Sequence, residues 1–189
     1  MIHTPRPALT GTPVLETGRL ILRAPVAADF DSFAAFAASD RAAYVGGPNS
    51  RALAWRRFCG MTGHWVHRGF GLFVFCDGTT GTPLGTAGPW YPEGWPEPEI
   101  AWTVWSPQAE GCGYAFEAAT ATRAFAYDIL GWPTAISMIS PRNTRSEALA
   151  RRMGCTADGT FHHEQFGENT LWRHPAPDTL TDGGIEAYA

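Results

Sequence analysis

An α/β fold built on one mixed sheet is what this sequence predicts, and three observations carry the prediction. Short runs rich in β-branched and aromatic residues alternate with runs of helical period, in the order strand, two helices, three strands, helix, strand, helix, two strands. The 189 residues, 44% of them hydrophobic, suffice for one substantial core and give no sign of a second domain. Finally, Gln108-Ala109-Glu110-Gly111-Cys112-Gly113-Tyr114-Ala115 joins an aromatic, β-branched run to an alanine-rich helical one, so a glycine turn delivers a strand into a helix.

Each element has a local reason. Thr12 to Pro25 reads as the first strand, with Leu20 and Leu22 on one face and Arg19, Ile21 and Arg23 on the other. Phe30, Phe33 and Ala37 recur at helical spacing. Ala52 to Arg68 is a second helix with Trp55, Phe58, Met61 and Trp65 expected on its buried side, and Gly46-Gly47-Pro48-Asn49 separates the two. Gly71 to Cys76 and Leu84 to Trp90 make an antiparallel hairpin around Asp77 to Thr82, Pro92 to Pro98 is a loop, and Ile100 to Trp105 is the next strand. The helix after the glycine turn runs to Leu130, with Ala115, Ala118, Ala119, Thr122, Ala126 and Ile129 as a small-residue face and Gly131 as its stop. Ala135 to Ile139 is a buried strand, Thr144 to Met153 a short helix, and Thr156 to Phe166 with Thr170 to Trp172 the last strand pair. Residues 1–13 read as an extension, 14–174 as one domain and 175–189 as a tail, polar and aperiodic from Asp178 onward.

Several function classes are excluded early. A net charge of −4 with scattered arginines gives no basic field for nucleic acid. No run is long and apolar enough to span a bilayer, and Met1 to Gly11 lacks the pattern of a signal peptide, so a soluble cytoplasmic protein is expected. Cys59, Cys76, Cys112 and Cys155 are too far apart for a zinc knuckle and read as reduced thiols. His64 and His67 could share a helical face, but no third ligand stands near, and no metal is expected.

The glycine turn is the candidate site. Glycine lets backbone approach an anion, and the free N–H groups of the following helix supply donors. The dinucleotide fingerprint would need a third glycine where Phe116 stands, and the phosphate loop of nucleoside triphosphatases would need a Gly-Lys-Ser/Thr that occurs nowhere. What remains, Gln-x-x-Gly-x-Gly, resembles the pyrophosphate signature of the GNAT superfamily of N-acetyltransferases. The resemblance also rests on Thr17-Gly18-Arg19-Leu20-Ile21-Leu22-Arg23, on Glu99-Ile100-Ala101-Trp102, and on Asn143-Thr144-Arg145-Ser146 with Leu149 and Met153-Gly154. It covers Val14 to His174, and together the motifs resemble the branch that includes the ribosomal-protein alanine N-acetyltransferases.

That resemblance implies a mostly antiparallel, twisted sheet with a splayed central strand pair, flanking helices, and acetyl-CoA as co-substrate. It implies that Thr103, Val104 and Trp105 offer backbone to the pantetheine arm, that Gly111, Cys112, Gly113, Tyr114 and Ala115 hold the pyrophosphate with Gln108 nearby, and that Asn143 steadies the arm. Glu99 stands where relatives carry a base acting through water, with Glu97 the alternative one register away. Ser146 would protonate the departing thiolate, and Tyr114 is a second such acid. Structural readings stand beside these: Asn143 or Thr144 caps the following helix, Thr144 and Glu147 form a capping box, and Cys112, a thiol of enhanced reactivity on one reading, is on the other a small residue that fits the turn. Glu110 either points to solvent or weakens binding of a phosphate.

The resemblance implies an amine acceptor, a small molecule or a protein N-terminus. Trp90, Tyr91, Trp95, Glu93, Glu97 and Glu99 together would suit a cationic ligand, or equally form a hydrophobic lid or dimer contact. Exposed tryptophans would suit a homodimer. A CoA-binding sensor or interaction module without efficient catalysis is the alternative function, and an aromatic-rich structural protein a third.

Overall fold

Alternation along the early strands decides where the helices go. Leu20, Leu22, Phe73 and Phe75 are buried with Ala118 and Phe125 on one face, whereas Val74 and Cys76, one residue out of phase, pack with Phe33, Phe58 and Met61 on the other. The computed structural model describes residues 8–180. Its elements run β1 (Leu15–Glu16), β2 (Leu20–Arg23), α1 (Phe30–Ala37), α2 (Arg51–Arg68), β3 (Phe73–Asp77), β4 (Pro83–Trp90), β5 (Glu99–Val104), α3 (Tyr114–Asp128), β6 (Ile136–Ile139), α4 (Thr144–Arg152), β7 (Thr156–His163) and β8 (Gly167–Arg173). The eight strands lie in the order β1-β2-β3-β4-β5-β6-β8-β7, with β5–β6 the parallel pair and the other neighbours antiparallel. α1 and α2 cover one face; α3 covers the other, with Ala150 of α4 and Met153 just after that helix packed beside it against Ile139 and Trp172.

Four local expectations are corrected. The first strand is two: Thr17 N–H donates to Leu20 O at 2.9 Å, turning the chain so that β1 pairs back on β2 with Leu15 opposite Leu22. On α2 the buried row is Ala54, Phe58, Met61 and Trp65; Trp55, one position round the helix, is 49% exposed and meets Phe30 edge-on. α3 ends at Asp128, and Ile129 and Leu130 both bond back to Phe125 O, which leaves Ile129 72% exposed rather than on the small-residue face. The final hairpin is longer in its second strand than expected, Gly167–Arg173. The chain from Asp178 begins with part of a 3₁₀ turn, Pro177–Thr179; residues 181–189 of the expected tail, and 1–7 of the expected extension, lie outside the described residues. Among the tryptophans only Trp55 is exposed, which removes the ground for expecting a dimer.

The glycine turn is held by a carboxylate one helical turn behind it. Glu117 accepts from Thr17 Oγ1 at 2.5 Å, Arg19 N at 2.9 Å and Arg19 Nε at 2.7 Å, while Arg19 Nη1 donates to Cys112 O at 2.9 Å. The β1–β2 turn is thereby tied to the start of α3. Burial alone would raise the Glu117 pKa, but the bonds from Thr17 and Arg19 outweigh it and hold the carboxyl below its ordinary range. Its stabilisation is therefore present above the ordinary carboxylate pKa and is lost as pH falls through the lowered one. Glu117→Ala should cost roughly 2–3 kcal/mol of unfolding free energy near neutrality, since hydrogen bonds to a charge are lost together. Urea titration should show that gap narrowing on acidification; a neutral-pH loss within error would contradict the tether.

Candidate active site

β5 and β6 are bridged at one rung, Glu99 opposite Ile136, where Ile136 N donates to Pro98 O at 3.0 Å. The next rung of a parallel ladder would run from Met138 N to Ile100 O. Both groups are taken by side chains instead: Met138 N donates to Glu99 Oε1 at 2.9 Å, and Ile100 O accepts from Ser137 Oγ at 2.6 Å. With its donor and acceptor diverted, the ladder stops and the strands part. This is the expected splay, and Glu99 sits at its root.

Strand alternation then fixes which backbone faces the opening. Pro98, Ile100 and Val104 turn their carbonyls away from β4, and Trp105 N donates to Leu84 O, so Trp102 and Val104 present backbone to the gap. Thr103, expected to do so, pairs its backbone with β4 and contributes its side chain, whose Oγ1 lies 2.8 Å from Thr86 Oγ1. The Val104 and Trp105 carbonyls already accept from Arg41 Nη2 and Nη1, at 2.9 and 2.6 Å.

Glu99 is 6% exposed, and its second oxygen accepts from Trp95 Nε1 at 2.5 Å. Burial pushes its pKa up to about 7 against the opposing pull of the Met138 and Trp95 bonds, so it exchanges a proton readily near neutrality. Glu97 differs in kind. Arg173 holds it through two bonds, at 2.5 and 2.7 Å, which keep its pKa below the usual carboxylate range. The expected cation-attracting loop is corrected likewise, because Glu93 pairs with Arg68, Glu97 with Arg173, and Glu99 is buried.

Two cavities meet at the splay. One, of about 380 Å³, is lined by Phe33, Met61, Trp90, Trp95, Glu99 and Phe166 among others. The second, an open groove of about 980 Å³, runs past Gly111, Gly113, Tyr114 and Ala115. Trp102, Thr103, Asn143 and Ser146 line both. Gly111 and Gly113 have φ of +74° and +81°, and a Cβ at Gly111 would meet nothing within 4 Å. The backbone sign, not crowding, requires glycine at these two positions. Gly113 is also the N-cap of α3 and no side chain caps that end, so the first N–H groups of the helix are left to face the groove.

The remaining candidates divide. Asn143 is the N-cap of α4, accepting from Ser146 N at 3.3 Å, so Thr144 is inside the helix and the Thr144–Glu147 box does not form. Ser146 Oγ accepts from Trp102 Nε1 at 3.3 Å, which leaves its own proton to give elsewhere. Gln108 and Cys112 are exposed and line neither cavity; Gln108 Oε1 accepts from Ser106 Oγ instead. Glu110 neither points free nor stands bare: it is paired with both Arg41 and Arg145, chiefly the Arg41 bond lowering its pKa. His64 is buried between Phe70 O and Tyr91 N, which assigns the Nδ1–H tautomer, while His67 is exposed, so the two make no pair. Arg41 and Arg57 are cavity residues the sequence reading did not single out, and Trp102 entered it only as part of a motif, without a role at the site.

A sequence profile described as an acetyltransferase (GNAT) domain matches residues 19–156. The chain belongs to the GNAT acetyltransferase family. The crystal structure of an acetyltransferase from Agrobacterium tumefaciens str. C58 is 34% identical, over 91% of this chain and 99% of that one, with a TM-score of 0.80. A GNAT-family acetyltransferase of Bacillus anthracis, 20% identical, matches over 85% and 97% with a TM-score of 0.70. The ribosomal-protein-S5-alanine acetyltransferase of Vibrio fischeri, 15% identical, matches over 89% and 99% at 0.68 and shows the same fold. None of the curated proteins compared matches significantly. Among the described residues of this GNAT chain, no helix is long and apolar enough to cross a membrane.

If the Glu99 environment is as described, one carboxyl should titrate near 7. Carboxyl ¹³C shifts followed with pH should show it in the wild type and lose it in Glu99→Gln; a Glu99 signal titrating in the ordinary carboxylate range would contradict the burial argument.

Proposed function

We propose that the protein is an N-acetyltransferase that moves the acetyl group of acetyl-CoA to an amine by direct attack, the amine being a small molecule or a protein N-terminus. The observation that carries this reading is the meeting of two cavities at the root of the splay, one ending on a near-neutral carboxyl and the other on uncapped helix N–H groups.

The groove fits the coenzyme chemically. The free N–H groups from Gly111 to Ala115, the α3 dipole and the groove-lining Arg142, Arg145 and Arg152 suit a pyrophosphate. Trp102 and Val104 would pair backbone with the pantetheine amides, and the carboxamide of Asn143 reaches the same wall. When bound, acetyl-CoA would supply an acetyl thioester activated toward nitrogen. An ammonium has no lone pair, so Glu99 takes one proton through an intervening water and passes it to solvent. A carbon–nitrogen bond then forms as carbon–sulfur breaks. The proton shed by the nitrogen on becoming an amide balances the one that Ser146 gives to sulfur, and the Trp102 indole keeps the serine lone pair occupied so that its O–H is the free donor.

Arg41 favours a second reading, a CoA-binding module without efficient turnover, because it already occupies the gap-facing carbonyl of Val104 that a pantetheine arm would meet. Turnover separates the two. Thiol release with acetyl-CoA and an amine panel should rise with pH through about 7 and then level, because the base must be ionised. Glu99→Gln keeps an acceptor for Met138 N yet cannot take a proton; it should lower the rate by ~10²-fold or more and abolish that limb. Equal rates and profiles would remove Glu99 from proton transfer, and coenzyme binding without release on any amine would favour the module.

A further inference from the structure

The smaller cavity is mainly apolar, with Phe33, Met61, Leu72, Trp90, Trp95 and Phe166 in its wall and neutral polar side chains such as Thr86, Ser137, Gln165 and Asn169 beside them. The ionisable side chains lining it, apart from the Tyr44 phenol, are Glu99 and Arg57. Arg19, Arg23, Arg41, Arg51, Arg68, Arg145, Arg151 and Arg173 each have a carboxylate partner, whereas Arg56, Arg57, Arg123, Arg142 and Arg152 have none among the described residues, and of these five Arg57 alone lines the smaller cavity. Its Nη1 donates to Asn49 Oδ1 at 2.8 Å, and its guanidinium lies 6.0 Å from the Phe33 ring centroid. Asn49 is itself buried and anchored to Gly46 O, so the guanidinium is held in place while most of its donors stay unused. Burial lowers the Arg57 pKa, the mark of a cation that has lost water without gaining a counter-ion. Arg57 does not line the groove at the glycine turn, so a coenzyme phosphate does not account for it.

We propose that the acceptor is a small apolar amine that also carries a carboxylate, the amine directed to Glu99 and the carboxylate bound by the fixed guanidinium of Arg57. The inference rests on the N-acetyltransferase reading and narrows its substrate class. A volume of about 380 Å³ lies at the small end of the ~300–1,000 Å³ typical of small-molecule sites. An apolar wall rewards an aromatic or branched body, and a planar guanidinium matches a carboxylate bidentately. Polycationic acceptors such as polyamines meet an unpaired positive charge there and are disfavoured. A peptide N-terminus whose first residues are neutral brings no anion to Arg57.

The test compares phenylalanine with phenethylamine, which differ by the carboxylate, alongside spermidine and a neutral C-terminally amidated tripeptide. Thiol release is measured with the wild type, Arg57→Gln and Arg57→Lys, and phenylalanine binding to CoA-saturated protein is followed by calorimetry. The expected wild-type kcat/KM is about tenfold or more higher for phenylalanine than for phenethylamine. Arg57→Lys should retain most of that ratio and Arg57→Gln bring it close to one. Phenylalanine binding that depends on Arg57, without thiol release, would uphold the carboxylate site and overturn the transferase reading. Faster release with phenethylamine, spermidine or the tripeptide would uphold transfer and overturn this inference, as would an unchanged ratio in folded Arg57→Gln. Neither binding nor release with any probe would overturn it too.

Discussion

Everything functional in this fold depends on one diverted hydrogen bond, that from Met138 N to the Glu99 carboxyl rather than to Ile100 O. A backbone rung is replaced by a side chain, and Ser137 completes the replacement by satisfying the carbonyl left over. Neither Met138 N nor Ile100 O is left without a partner, so interrupting the ladder costs little at these two groups, and beyond them the strands are free to part. The same carboxyl that ends the ladder is the one left inside the cavity, buried and near neutral in pKa. Wedge and candidate base are one residue.

Charge placement follows from this economy. Glu97, Glu110 and Glu117 are each matched by arginine, and each match fixes a piece of the site: Arg173 holds the loop before β5, Arg41 and Arg145 bracket the groove, and Arg19 ties the β1–β2 turn to the glycine turn. The groove is thus left with unengaged backbone donors and arginines rather than a bare acid. The smaller cavity keeps two charged groups with no ion-pair partner, Glu99 and Arg57, inside aromatic walls.

Much of this was legible in the sequence where the signal is local. The glycine turn, the strand before it and the Asn143–Ser146 segment are short patterns whose physics is contained within a few residues. Alternation located Leu20 and Leu22, and helical period located Phe58, Met61 and Trp65. Trp55 was misplaced because one position round a helix is a 100° rotation that hydrophobicity alone does not resolve. Glu110 was misread for a different reason: its partners Arg41 and Arg145 stand 69 and 35 residues away. Glu117 with Thr17 and Arg19, and Arg57 with its cavity, are likewise tertiary facts. Thr103 was assigned the wrong backbone direction because the facing of a strand is set by its neighbours' register.

Hydrogen–deuterium exchange on adding CoA bears most directly on the central claim, that the interrupted ladder and the uncapped helix together form one coenzyme groove. The account predicts new protection at the amides of Trp102, Val104 and Gly111 to Phe116, and at no comparable cluster elsewhere in the sheet. Protection confined to other segments, or none at saturating CoA, would contradict it.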